Sequence, residues 1–159
     1  MFNSIRDLPI EIVLGDSRRI DMTRSSQDDG GTILVVEDDD QVRAFIRTLL
    51  TNDGHRVIEA RTGGEGLALA EKHRSEIDLL LSDMLLPELS GFDLAQQLRS
   101  QFPQLAVLFM TGYIEGDIVQ RCTDELQAGF LDKPFQPAVL LQKVRELIRD
   151  SASVPSSKH

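Results

Sequence analysis

Apolar residues along this chain follow two rhythms that alternate from Thr32 onward. Five short runs have strand length: "TILVVE" (Thr32 to Glu37), "RVIEA" (Arg56 to Ala60), "DLLLSD" (Asp78 to Asp83), "AVLFMT" (Ala106 to Thr111) and "GFLDK" (Gly129 to Lys133). Between them apolar positions recur at helical spacing: Val42, Phe45, Ile46, Leu49 and Leu50, then Ile114, Ile118, Cys122 and Leu126, and last Leu140, Leu141, Val144, Leu147 and Ile148. Two further helices, near residues 64–74 and 90–101, are shorter or diluted by glycine, and the alternation places them. Repeated strand–helix units predict an α/β fold built on a parallel sheet. The first, third and fourth runs are nearly all apolar rather than alternating, so those strands are expected at the sheet centre, with helices over both faces.

The ends of the chain break this rhythm. Residues 1–31 show weak periodicity and close on "TRSSQDDGG", so they are expected to be a flexible extension or linker, with "IEIVL" (Ile10 to Leu14) as a short strand candidate. One domain is expected over residues 32–150, and "SASVPSSKH", residues 151–159, reads as a disordered polar tail.

At 159 residues with 41% hydrophobic content the chain can bury a real core. Its net charge of -9 lacks the basic footprint of a nucleic-acid binder. The single cysteine excludes an internal disulfide, and no apolar stretch approaches the roughly 20 residues that span a bilayer. A cytoplasmic protein, with no direct nucleic-acid contact and no membrane insertion, is the expectation.

In an open parallel sheet all strands point one way, so residues at their carboxyl ends gather on one edge, where ligands bind. Glu37 and Asp38 close the first run, Asp83 the third, Thr111 the fourth and Lys133 the fifth. Three crowded carboxylates repel unless a cation joins them, and a few hard oxygen ligands suit magnesium. Magnesium, a lysine and a hydroxyl are the groups phosphoryl transfer uses, and a carboxylate can accept the phosphoryl group. Asp83 is best placed for that role. Taken alone, each residue has an ordinary reading: Asp83 as a turn residue, Asp40 as the cap of the first helix, Lys133 as a surface lysine, Cys122 as a buried helix position, and His55 as a loop residue.

Together, "ILVVEDD", "LLLSDMLLPELSG", "VLFMTGY" and "FLDKPF" resemble a response-regulator receiver domain over about residues 32–150. The resemblance implies a flavodoxin-like, doubly wound (βα)5 sheet of strand order 2-1-3-4-5. It implies Asp83 as phosphoacceptor, and Asp38, Glu37, Asp83 and the backbone carbonyl of Leu85 around Mg2+. Lys133 and Thr111 would meet the phosphoryl group, and the Lys133–Pro134 bond is expected to be cis. A switch would couple Thr111 to the aromatic Phe130, which stands where many relatives carry tyrosine, and would alter the surface of the fourth helix, fifth strand and fifth helix.

The implied partners are a histidine kinase or a histidine phosphotransfer protein as donor and a downstream protein target, and the same surface allows a homodimer. The module would catalyse its own modification rather than turn over a substrate. A haloacid-dehalogenase-type hydrolase would want a second acid where Leu85 stands. A nucleotide or flavin binder would want a glycine-rich loop where the acids stand. A pseudo-receiver acting only as a protein-interaction module is the alternative. Stand-alone regulator, relay intermediate and hybrid-kinase receiver all remain open settings.

Overall fold

The structure, a computed structural model, describes residues 30–112 and 116–153. The strand candidate Ile10 to Leu14, the helical position Ile114 and residues 154–159 lie outside the described residues.

Among the described residues, five strands alternate with five helices: β1 (Thr32–Val36), α1 (Asp40–Asn52), β2 (Arg56–Ala60), α2 (Gly63–Lys72), β3 (Leu79–Asp83), α3 (Gly91–Gln101), β4 (Ala106–Thr111), α4 (Gly116–Leu126), β5 (Gly129–Asp132) and α5 (Pro137–Ser153). All strand pairs are parallel and the order is β2-β1-β3-β4-β5. β1, β3 and β4 are therefore interior, as their unbroken apolar runs predict. Two departures from the sequence reading concern boundaries. Residues 151–153 continue α5 instead of starting the tail, and Ser151 Oγ donates to Gln104 O. Gly31 already belongs to the fold, because its carbonyl accepts from Arg56 N at 2.8 Å.

The pleat of the strands divides the core in two. Leu34, Val36, Leu80, Val107 and Phe109 face α2, α3 and α4, where Leu94, Leu98, Cys122 and Leu126 meet them. Ile33, Val35, Leu79, Leu81, Leu108 and Met110 face α1 and α5, packing on Ile46, Leu50, Leu140 and Val144. A one-residue slip in β1 would exchange these two sets, so the apolar pattern on both faces pins the register.

Side-chain caps start three of the helices at the carboxyl edge. Asp39, not Asp40, caps α1, accepting from Gln41 N and Val42 N at 2.9 and 3.1 Å. Three consecutive aspartates leave the cap ambiguous in sequence, and the turn out of β1 decides it; Asp40 instead enters the first turn and pairs with Arg43. Thr62 caps α2 and Ser90 caps α3, each through the backbone N–H three residues on. Just inside α3, a Cβ on Gly91 would lie 2.3 Å from Asp83 O, so only glycine lets this helix start against the end of β3.

At the opposite edge His55 is buried, 5% exposed, rather than a free loop residue. Its Nδ1 accepts from Gly31 N at 2.9 Å, which places the neutral ring's proton on Nε2, 3.5 Å from Asp53 Oδ2. Asp53 is held in turn by the Arg145 guanidinium of α5.

Two outcomes test these contacts. Gly91→Ala should lower the urea midpoint, with unchanged slope, by about 1–3 kcal/mol of stability, because backbone rather than a flexible side chain must give way. Burial holds the His55 pKa below its ordinary value despite the Asp53 charge, while Arg145 keeps Asp53 ionised. The His55 contribution is thus fully present above about pH 6.5 and is lost as pH falls and the unfolded chain takes up the proton first, with a slope of at most about 1.4 kcal/mol per pH unit. Urea titrations between pH 7.5 and 5.5 should show wild type losing more stability than His55→Gln; parallel losses would refute this.

Candidate functional site

Glu37 directly follows β1 and lies inside the protein, 1% exposed. Its backbone N–H donates to Ala60 O, its Oε2 accepts from Asp39 N at 3.0 Å, and its Oε1 faces Lys133 Nζ at 3.3 Å. The next residue, Asp38, is exposed at the edge. Asp83 ends β3, buried, with Oδ1 accepting from Leu85 N at 3.0 Å and Oδ2 accepting from Lys133 Nζ at 2.8 Å. Carboxylate oxygens of Glu37, Asp38 and Asp83 lie within 4.8 Å of one another.

Thr111 ends β4, buried, and its carbonyl accepts from Lys133 N, which aligns the lysine beside the acids. The Lys133–Pro134 peptide is cis. Leu85 turns its side chain outward, 74% exposed, so what it offers the site is backbone. Phe130, on β5, is half-buried with its ring 5.9 Å from that of Phe109.

Like charges and burial dominate the electrostatics. Burial pushes the Glu37 carboxyl above the usual carboxylate range and the Asp83 charge adds to this, while the Asp39 N–H and Lys133 oppose it. Burial works against the Lys133 ammonium, yet its hydrogen bond to Asp83 and the two carboxylate charges prevail and hold it above the usual lysine range. The Lys133 ammonium thus bonds two of the three clustered carboxylates. Such a donor set, with hard oxygens and surplus negative charge, fits a magnesium ion, which takes few protein carboxylates and keeps waters.

The predicted residues Glu37, Asp38, Asp83, Thr111 and Lys133 are brought together from four separate strand ends. Sequence reasoning missed Arg43, 9% exposed on the inner face of α1, whose Nη1 donates to Glu37 O at 2.8 Å. Its signal was present: a charged residue on the stripe shared with Ile46 and Leu50. It also missed Gly91, which the "SG" at the start of the third helix marks only as a helix start. A cavity of about 370 Å³ lies at the other edge, among Asp78, Phe102 and Ile148, so it is unconnected with the acids.

Comparison with known proteins agrees with this geometry. The response regulator receiver domain family matches residues 33–145. The sensor kinase CckA of Brucella abortus is 35% identical over 117 residues, covering 74% of this chain and 12% of that protein. The response regulator MprA of Mycobacterium leprae is 36% identical over 120 residues, covering 74% of this chain and 50% of that one. The chain therefore spans half or less of both relatives. Among solved structures, the non-phosphorylated HemR receiver domain of Leptospira biflexa aligns with a TM-score of 0.69 at 30% identity, over 79% of this chain and 96% of that one. The receiver domain of the hybrid histidine kinase CckA aligns with a TM-score of 0.65 at 35% identity, over 74% and 99%. With its five-stranded order, its acid-lined strand ends and this matched span, the chain belongs to the response regulator receiver domain family of two-component signalling.

Proposed function

We propose that this receiver accepts a phosphoryl group on Asp83 from a phosphohistidine donor and signals by changing its α4–β5–α5 surface. The carrying observation is that Lys133 Nζ reaches Asp83 Oδ2 at 2.8 Å while Glu37 and Asp38 bring two more carboxylates to the same spot. Two buried carboxylates with an exposed third beside them are costly to hold unless they serve a cation or a transferred group.

Glu37, Asp38, Asp83 and the Leu85 backbone would hold magnesium, which when bound supplies charge neutralisation for a phosphoryl group. The chain's own groups do the rest. An Asp83 carboxylate oxygen attacks phosphorus; the new O–P bond forms as the P–N bond to the donor imidazole breaks, and the imidazole nitrogen leaves with that electron pair. Lys133 meets the charge on a phosphoryl oxygen, and Leu85 N–H holds the second Asp83 oxygen in place. Thr111 is the hydroxyl at the adjacent strand end, and Phe130, half-buried on β5, is the residue through which movement at Thr111 reaches the surface. Its lack of a hydroxyl leaves an apolar contact as the output of that switch.

A histidine kinase or phosphotransfer protein is the donor class, and a further protein the receiver of the signal. Among the described residues no helix is long and apolar enough to cross a membrane.

Intact mass after incubation with acetyl phosphate and magnesium should show one phosphoryl adduct on wild type, abolished by chelator and missing from Asp83→Asn. Wild type that stays unmodified and binds no magnesium at millimolar levels would replace this reading with a pseudo-receiver that only binds proteins.

A further inference from the structure

The inner face of α1 carries an oddity. Three of its residues are buried, Arg43, Ile46 and Leu50, at the spacing of an apolar stripe, yet the first of them is an arginine. Burying a guanidinium costs stability unless its donors are satisfied, and here each nitrogen has an acceptor. Nη1 donates to Glu37 O at 2.8 Å, Nη2 to Asp40 Oδ1 at 2.6 Å, and Nε to Glu59 Oε1 at 3.2 Å. The two carboxylates are themselves tied down: Glu59 on β2 also binds Arg47, and Asp40 also binds Arg61.

The guanidinium fork therefore joins three parts of the molecule: the turn after β1, the first turn of α1, and β2. Its contact with the turn is to a backbone carbonyl, that of Glu37. With Glu37 N bound to Ala60 O, Oε2 to Asp39 N and Oε1 to Lys133, every polar atom of Glu37 has a partner. The peptide between Glu37 and Asp38, which aims both carboxylates, is thus held from behind by Arg43.

We infer that Arg43 is a positioning residue that fixes the Glu37–Asp38 turn for metal loading. This rests on the magnesium-site reading above. Charge alone predicts the opposite sign: removing a cation beside a cation site should tighten metal binding. Positioning predicts weakening, since loss of a partner that orients ligands costs on the order of 10–100-fold in metal affinity.

The test is a titration of the full chain with magnesium chloride, followed by amide proton–nitrogen NMR, which reads affinity and fold together. Arg43→Met keeps an apolar-compatible stem on the buried stripe and removes every donor. It should bind magnesium on the order of tenfold more weakly than wild type, with spectral changes before titration centred on Glu37 to Asp40. Arg43→Lys keeps the charge without the planar fork and should also weaken binding, which charge alone cannot produce. Affinity equal to or tighter than wild type in Arg43→Met overturns the inference; if that variant does not fold, wild-type affinity in Arg43→Lys overturns it. Wild type that binds no magnesium removes the metal-site reading itself, whereas wild-type binding matched by the variants removes only the role of Arg43.

Discussion

Three carboxylates within 4.8 Å of one another, two of them buried, form an arrangement that a folded protein must hold against its own repulsion. Here the opposing force comes from Lys133, which bonds both Asp83 and Glu37 from the far end of the sheet. The raised pKa of Glu37 and that of Lys133 are two faces of one situation: too much negative charge, too little water and a single ammonium. The proposed reception of a cation and a phosphoryl group gives a reason for keeping that imbalance.

The scaffold is arranged to hold these groups still. β1, β3 and β4 are buried on both sides, so the strand ends that carry Glu37, Asp83 and Thr111 cannot shift without disturbing one of two packed cores. α3 begins so close to Asp83 that residue 91 has no room for a side chain, and Leu85 N–H and Lys133 N add further fixed points. On the other side of the acids, Arg43 ties the turn after β1 to α1 and β2. The acids thus stand on a rigid frame, while Leu85, on the loop after β3, is exposed.

Phe130 stands at the position to which the proposed switch assigns its aromatic residue. It packs beside Phe109 and is half-buried, next in sequence to the core residue Leu131. In the proposed switch, a ring in that setting would report a change at Thr111 only through shape and apolar contact, since it has no hydroxyl.

Much of this was written in the sequence. Unbroken apolar runs identified the central strands, because burial on both faces leaves no polar position, and the acids and Lys133 stood at strand ends, which a parallel sheet gathers on one edge. The order of strands came from the likeness of four motifs to a family, not from periodicity. Other features were decided only in three dimensions. Which of three adjacent aspartates caps α1 depends on the backbone turn after β1, and goes to Asp39. His55 reads as a loop residue by position, yet a main-chain N–H from Gly31 and a carboxylate from Asp53 enclose it. Arg43 looks like one more surface charge on a helix until β2 and the Glu37 carbonyl close around it. The physical reason is the same in each case: local pattern reports which face of an element is apolar, but the partners of a buried polar group come from segments distant in sequence, and only the packed structure brings them together.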